Sequence, residues 1–386
     1  MSHPCPLPPA DPSPGAAAAL SACVPCASRA PVSWPDAARR AAFEAWLAPL
    51  VGPHQLLPES LRPASEDASF RRYLRIDSGR GGSCIVMDAP PDQVDCSPFV
   101  RVQGLMAAAG LNVPQILAWG ECSGFMLLSD LGSRTLIEQL HSDQPQAAWR
   151  WYQQATDLLL DWQRASRADL LPAYDAALLR RELAQFPDWY LAGYRSVTLD
   201  GAQQTTLASA FDAIVAHNLA APCVFVHRDF MARNLMAPVQ EGAPLGVLDF
   251  QDAVHGPITY DIASLLRDAF ISWEEEFVID VTVRYWEKAR KAGLLGAGSA
   301  SGWGADFGEF YCSVEWMGLQ RHLKVAGIFA RLSLRDGKPR YLADTPRFLA
   351  YIRATAGRYR QLAPLLALLE QIEGSAARTD PAHGRV

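Results

Sequence analysis

The most informative part of this sequence is VHRDFMARNL, at residues 226–235, together with GVLDFQD at residues 246–252. The polar residues of each stretch come just after a short apolar run typical of a β-strand, so their side chains are expected at the end of a rigid element. Asp229, Asn234 and Asp249 then have the order that a phosphoryl-transfer site requires. Asp229 would accept the proton of an attacking hydroxyl, and the other two would supply hard oxygen ligands for Mg²⁺.

These residues also have plainer structural interpretations. An isolated aspartate at the end of a strand is more often a turn or cap residue than a catalyst. Three polar residues in this order, each behind an apolar strand, are not expected by chance, and we therefore favour catalysis. His227 and Arg228 are predicted to support the loop, and Asp261 is predicted to be the N-cap of a helix over residues 262–271.

The chain before these stretches predicts a small antiparallel sheet. Residues 70–76 alternate apolar and polar side chains, and an apolar run over residues 84–87 follows a glycine-rich turn, which indicates a hairpin. The first helix is expected to begin after a capping box formed by Ser33 and Asp36. Further expected elements are a helix that ends at Gly110 and strands over residues 115–119 and 125–128.

After residue 135 the periodicity becomes that of long helices, interrupted by strands predicted over residues 224–226 and 245–248. This pattern predicts an α+β fold with a small antiparallel-sheet N-lobe and a larger helical C-lobe, and a site between the lobes. The predicted boundaries are a disordered Pro/Ala-rich leader over residues 1–35, a nucleotide-binding N-lobe over 36–131, a catalytic and substrate-binding C-lobe over 132–374, and a flexible tail over 375–386.

Composition narrows the class of protein. The 386 residues carry a net charge of −6, with no apolar run long enough to span a membrane and no concentrated Lys/Arg patch for nucleic acid. We therefore predict a cytoplasmic protein with a small-molecule partner, and nothing indicates an obligate protein partner. Cys23 and Cys26 form a lone CxxC, which is a weak metal signal. The other cysteines are scattered and are interpreted as free thiols.

Several further segments resemble the aminoglycoside phosphotransferase superfamily, and within it the bacterial anomeric kinases of N-acetylmuramate and N-acetylglucosamine. These segments are ASFRRYLR at 68–75, VMDAPP at 86–91, LLSDLG at 127–132, REL at 181–183, TYDIASLLRD at 259–268 and QRHLK at 320–324. The resemblance covers roughly residues 35–370. It implies a two-lobed, protein-kinase-like fold and transfer of phosphate from ATP to the C1 hydroxyl of an amino sugar, in peptidoglycan recycling.

The resemblance also implies roles for individual residues. Asp229 would be the catalytic base, and Asn234 and Asp249 would bind Mg²⁺. The loop over residues 67–72 would cover the ATP phosphates, and the stretch over residues 128–131 would be a hinge whose backbone binds adenine. The implied nucleotide-binding residues are Ser69, Phe70, Arg71, Arg72, Leu128, Ser129, Asp130 and Leu131.

The first lobe departs from the superfamily at one position. These kinases usually carry a lysine in the strand after the phosphate loop, paired with a glutamate of the next helix, whereas this strand reads IVMD at residues 85–88. Arg71 or Arg72 could supply the missing positive charge, because a guanidinium binds phosphate in a bidentate way. Alternatively, Arg71 and Arg75 only solvate one face of a strand.

The acceptor is predicted to be a neutral or anionic sugar. Only 11 residues separate Asp249 from Asp261, too few for the peptide-docking platform of a protein kinase. The helix expected at the acceptor side mixes acidic and basic residues, whereas a polycationic aminoglycoside would require an acidic pocket. Trp316 could stack on the sugar, and Arg321 or Lys324 could bind a carboxylate such as the lactyl group of N-acetylmuramate, or simply form a solvated helix face. The candidate contacts are Asp252, Glu182, Trp189, Glu315, Trp316, Arg321, His322 and Lys324.

Two other functions remain open at this point. The same fold could phosphorylate an aminoglycoside, choline or another small alcohol. It could also be a degenerate kinase that binds nucleotide as a regulatory module, because Met87 stands where a lysine is expected.

Overall fold

The computed structural model describes residues 32–65, 70–240, 242–296 and 302–373. Three predicted features lie outside the described residues: the leader up to residue 31, which includes the CxxC, the candidate Ser69, and the tail over residues 375–386. Within the described residues, no helix is long and apolar enough to cross a membrane. The leader was predicted to extend to residue 35, but this boundary is wrong, because Trp34 packs on Phe43 with ring centroids 4.8 Å apart.

A five-stranded antiparallel sheet forms the N-lobe, as predicted. Its strands are β1 (Leu56–Ser65), β2 (Arg72–Ser78), β3 (Ser83–Asp88), β4 (Ile116–Gly120) and β5 (Phe125–Ser129), in the order β1-β2-β3-β5-β4. The predicted hairpin is β2–β3, with Leu74 opposite Val86. Strand β1 was not predicted, because Pro58 and Pro63 interrupt its pattern. Both prolines are tolerated because β1 is an edge strand.

One face of this sheet packs against helix α1 (Ala37–His54). Phe43 and Leu47 of the helix contact an apolar cluster that includes Leu74 and Val86. The helix is capped by Asp36, whose carboxylate accepts the Arg39 backbone N–H at 2.7 Å. The predicted role of Ser33 as the cap is wrong, since the cap residue lies three positions later.

The opposite face of the sheet packs against helix α2 (Ser97–Ala108) and joins the main core. Met87 of β3 and Phe99 of α2 both belong to this core. The ring of Phe99 lies 4.9 Å from that of Phe250, which directly follows Asp249. This face of the sheet therefore faces the C-lobe and the catalytic stretches.

Asp88, at the end of β3, links the sheet to α1. Its carboxylate is fully buried and accepts hydrogen bonds from Arg39 Nε at 3.0 Å and Arg72 Nε at 3.1 Å. The Arg39 guanidinium also donates to the Ser123 carbonyl at 2.6 Å. A single carboxylate thus neutralises two cations from different elements.

Replacing Asp88 by Ala is expected to lower the free energy of unfolding by about 3 kcal/mol, because two guanidinium groups would lose the carboxylate that neutralises them. Urea denaturation followed by circular dichroism measures this change. Asp212→Ala is the matched control, since Asp212 pairs with Arg180 on the surface, and we expect a change below about 1 kcal/mol. Equal changes in the two variants would contradict the assignment of Asp88 as an anchor.

Helices make up most of the C-lobe, as predicted. They are α3 (Pro145–Arg164), α4 (Ala176–Leu183), a π-helical segment (Phe186–Tyr194), α5 (Gly201–Leu219), α6 (Thr259–Leu266), α7 (Glu275–Lys291), α8 (Phe307–Leu334), α9 (Thr345–Arg358) and α10 (Ala363–Glu373). Helix α8 runs through the lobe and is mostly buried. Gly327 allows its close approach to the π-helical segment, because a Cβ there would lie 2.1 Å from the Gln185 carbonyl oxygen.

Short strands carry the catalytic stretches. They are β6 (Cys223–Val226), β7 (Leu235–Met236), β8 (Gly246–Val247) and β9 (Val254–Pro257), with β6 paired to β9 and β7 paired to β8. The strands at β6 and β8 were predicted, whereas β7 and β9 were not, because runs of two to four residues carry no periodicity. The α+β, two-lobed fold is confirmed; the exact lobe boundaries stay a prediction.

Candidate active site

Two strained turns present Asp229, the predicted base, and Asp249, a predicted Mg²⁺ ligand. Arg228, just after β6, has φ of 77°, and Asp249, just after β8, has φ of 62°. Non-glycine residues rarely adopt this left-handed conformation, which costs free energy and persists only where the surroundings enforce it. Both turns lie beside the residues predicted to be catalytic, where such strain is commonly found.

The structure brings Asp229, Asn234 and Asp249 together. Asn234 Nδ2 donates to the Asp229 carbonyl at 2.8 Å and to Asp249 Oδ2 at 3.3 Å. Gln251 Nε2 donates to Asp249 Oδ1 at 2.8 Å. Because the Asn234 amide nitrogen is fixed by these bonds, its Oδ1 remains an acceptor beside the exposed Asp249 carboxylate. An amide oxygen and a carboxylate together suit Mg²⁺, which proteins usually hold with few side chains and the substrate's phosphates.

Asp261 stabilises the backbone of the loop that carries Asp229. Its carboxylate accepts the backbone N–H of His227 at 2.7 Å and that of Arg228 at 3.0 Å. Burial raises the pKa of Asp261 to about 7, although these two hydrogen bonds favour the ionised form. The prediction that Asp261 caps a helix is wrong, because α6 begins at Thr259 and Asp261 lies in its first turn. It stabilises the strained turn at Arg228 instead.

His227 supports the site, as predicted. Its ring Nε2 lies 3.0 Å from the Leu248 carbonyl oxygen, which joins the two catalytic stretches. Burial lowers the pKa of His227 to about 4, so the ring is neutral at pH 7 and donates this bond. Asp268 fixes the loop that carries Asp229 to the segment after α6, because its buried carboxylate accepts the backbone N–H of Ala232 at 3.2 Å and that of Phe270 at 2.8 Å.

Glu182 lies buried behind the catalytic loop among cations. It accepts Arg228 Nη2 at 2.5 Å and Lys324 Nζ at 2.9 Å through Oε1, and Gln320 Nε2 at 3.1 Å through Oε2. Burial alone would raise the pKa of this carboxyl, but Lys324 and Arg228 hold it at about 2. Glu182 was predicted to contact substrate; the structure places it as the counterion that orients Arg228, the neighbour of Asp229.

The α8 residues predicted to contact substrate are buried, so the alternative of a solvated helix face is wrong. Arg321 Nη1 donates to the Arg228 carbonyl at 2.8 Å, and Lys324 Nζ donates to Glu182. Trp316 is only 4% exposed, and its ring stacks on His217 at 4.5 Å, which leaves no open face for a sugar. The remaining candidates are His322, bonded to the Arg267 carbonyl, Glu315, bonded to Arg358 and Tyr359, the half-buried Trp189 and the exposed Asp252.

The N-lobe candidates divide between the two faces of the sheet. Arg72 bonds to Asp88 and to the Ser33 carbonyl on the α1 face, so its guanidinium points away from the C-lobe. This corrects the prediction that Arg72 replaces the phosphate-binding lysine. Met87 is fully buried on the face toward the C-lobe. Phe70 is 69% exposed, and Arg71, directly before β2, is half-buried.

The predicted hinge over residues 128–131 begins within β5 and continues past its end, where a salt bridge holds Asp130. Arg75 Nε donates to Asp130 Oδ2 at 2.6 Å, and Arg75 Nη2 donates to the Gly132 carbonyl at 2.7 Å. The interpretation of Arg75 as a solvating side chain is therefore wrong. The Asp130 side chain is bonded to Arg75 of the N-lobe. This leaves the backbone groups of residues 128–131 as the candidates for binding adenine.

Sequence reasoning did not single out Asp88, Asp268 and Gln251. Asp88 and Asp268 act through contacts to distant parts of the chain, which no spacing rule indicates, whereas Gln251 bonds to Asp249 two positions away. All three lie in the sequence segments that point to the site or to the family, and this position was the available signal.

The match to a known family decides the class of this protein. A family model described as the phosphotransferase enzyme family matches residues 60–295, and these residues include Asp229, Asn234 and Asp249. The chain belongs to this phosphotransferase family. An N-acetylmuramate/N-acetylglucosamine kinase of Pseudomonas aeruginosa is 50% identical over 319 residues, which cover 83% of this chain and 90% of that protein.

Solved structures confirm the kinase-like fold. The ethanolamine kinase of Plasmodium vivax superposes with a TM-score of 0.58 at 10% identity, covering 86% of this chain and 90% of that one. The aminoglycoside phosphotransferase APH(2'')-Ib, solved with ADP bound, superposes with a TM-score of 0.51 at 13% identity, covering 82% and 97%. The predicted superfamily is shown by the family match and by the 50% identical relative, and the two-lobed, kinase-like fold by these superpositions.

Proposed function

We propose that this phosphotransferase is an ATP- and Mg²⁺-dependent kinase that phosphorylates the anomeric hydroxyl of N-acetylmuramate, N-acetylglucosamine or both. The observation that carries the proposal is the contact between Asp229, Asn234 and Asp249 at the ends of two strands. The 50% identity to a kinase named for these two sugars supports the choice of acceptor. We further propose that it acts in the cytoplasm, in peptidoglycan recycling.

In the proposed mechanism, Asp229 accepts the proton of the C1 hydroxyl as the sugar oxygen attacks the terminal phosphate of the nucleotide. The bond from that phosphorus to the bridging oxygen of the β-phosphate breaks, and ADP leaves. The bond from Asn234 to the Asp229 carbonyl and the bonds to Asp261 fix the loop, so that the carboxylate is positioned before the acceptor binds. Asn234 and Asp249 would hold Mg²⁺, which supplies positive charge to the nucleotide phosphates.

Purified protein with Mg-ATP tests the proposal. ADP release and phosphorus NMR should show a sugar 1-phosphate from at least one of the two amino sugars. An aminoglycoside and choline serve as comparison acceptors and should give no ADP above background. If only a comparison acceptor is phosphorylated, the acceptor assignment is wrong. If nucleotide binds and no acceptor releases ADP, the chain is a degenerate kinase, for which Met87 is the motivating residue.

A further inference from the structure

The basic residues around Asp229 differ in whether their charged groups already bind other groups of the protein. Arg228 and Lys324 share the carboxylate of Glu182. Arg321 donates to the Arg228 carbonyl and lies over the Tyr260 ring at 4.8 Å. All three are largely withdrawn from solvent and engaged within the protein, so none of them can meet an incoming anion without breaking buried contacts.

Arg233 is different, although it stands in the same loop. It lies in the short 3₁₀ turn Ala232–Asn234, directly before the proposed metal ligand Asn234, and it is exposed. Within the part of the chain that the structure describes, it makes no ion pair and no side-chain hydrogen bond. The nearby Asp268 carboxylate is occupied by two backbone N–H groups.

An aromatic ring holds the Arg233 guanidinium in place. Its Cζ lies 4.8 Å from the ring centroid of Phe270, and Phe270 in turn contacts Phe329 of α8 with centroids 6.0 Å apart. This places the cation on the C-lobe side of the catalytic loop, whereas Asn234 points toward Asp249. The acceptor must approach Asp229 from the side opposite the nucleotide, because the attacking and leaving oxygens lie in line.

We infer that Arg233 binds the carboxylate of an anionic acceptor sugar and thereby determines preference for N-acetylmuramate over neutral N-acetylglucosamine. This inference rests on the proposed function, because it assigns the acceptor of that same site. The planar guanidinium fork matches a carboxylate in a bidentate way, and the Phe270 ring reduces the freedom that the side chain loses on binding. The two sugars differ by the lactyl group, so a contact to its carboxylate affects one acceptor and not the other.

The test compares Arg233→Gln with Arg290→Gln. Arg290 is a matched control, because it is also exposed and lies 4.8 Å over an aromatic ring, that of Trp286 on α7. In Arg233→Gln we expect kcat/KM for N-acetylmuramate to fall by roughly tenfold to a hundredfold, mainly through KM, as loss of one charge-assisted hydrogen bond produces. The value for N-acetylglucosamine should stay within about twofold, and Arg290→Gln should change neither. Arg233→Lys, which keeps the charge without the fork, should give an intermediate KM for N-acetylmuramate.

Three results would overturn the inference while leaving the proposed function intact. They are an equal loss with both sugars in Arg233→Gln, no loss with either sugar, and a raised KM for ATP in place of the raised KM for N-acetylmuramate. An unmodified enzyme that phosphorylates only N-acetylglucosamine would also overturn it. An unmodified enzyme that phosphorylates neither sugar would instead remove the proposed function itself.

Discussion

Asp229→Asn is expected to lower kcat by roughly a hundredfold to ten-thousandfold, the range that loss of a general base produces. Asparagine keeps the shape of the side chain and cannot take a proton from the sugar hydroxyl. The hydrogen bonds that involve Asp229 backbone atoms, from Asn234 and to His227, do not depend on the carboxylate. The folded structure and nucleotide affinity should therefore be preserved.

The measurements for Asp229→Asn are ADP release, nucleotide affinity by calorimetry, and the melting temperature. Asp161→Asn is the matched control, because Asp161 is an exposed carboxylate on α3 that pairs only with a surface arginine, Arg164. It should leave all three quantities unchanged. If Asp229→Asn kept more than about a tenth of the activity, Asp229 would not be the base.

Glu182→Gln is expected to lower the free energy of unfolding by about 3 kcal/mol, because it leaves Arg228 and Lys324 buried without their counterion. Activity should fall as well, since Arg228 adjoins Asp229 in the strained turn. Urea denaturation and initial rates measure the two effects. Glu44→Gln, which alters an exposed pair with Arg40, should change stability by less than about 1 kcal/mol.

The contribution of Glu182 to the free energy of unfolding is also expected to depend on pH. The pKa of Glu182 is about 2 in the folded chain, below its ordinary value of 4.5, so the unfolded chain binds a proton first as the pH falls. The stability that Glu182 contributes is therefore complete above about pH 4.5 and is lost as the pH falls toward 2. The difference in stability between the unmodified enzyme and Glu182→Gln should shrink over this window. A difference that stays constant from pH 6 to pH 3 would show that the charge of Glu182 is not what stabilises the site.

Much of the fold could be predicted from local patterns. The hairpin β2–β3, the helix that ends before Gly110 and the strand before His227 follow from alternation, glycine placement and apolar runs. Strand β1 could not be predicted in this way, because its two prolines are acceptable only at a sheet edge, and the position of an edge is a property of the whole sheet.

Asp229, Asn234 and Asp249 could be named from sequence because phosphoryl transfer requires those residue types, in that order, behind two strands. The roles of the charged residues on α8 could not be predicted from the sequence. Arg321 and Lys324 have the spacing of either a solvated face or a ligand-binding face, and the structure shows neither. Lys324 is bonded to Glu182, 142 positions away in the chain, and Arg321 is bonded to the Arg228 carbonyl.

The local order of residues thus predicted the fold class and singled out Asp229, Asn234 and Asp249, since both depend on short-range periodicity and on chemistry that tolerates few residue types. Only the tertiary structure showed which arginine side chains are paired with carboxylates and which are exposed. Arg72 is paired with Asp88 of the neighbouring strand and Arg228 with Glu182, 46 positions away in the chain, whereas Arg233 is left exposed directly before Asn234. Charge pairing in the folded chain depends on distance in space, which residue spacing does not encode.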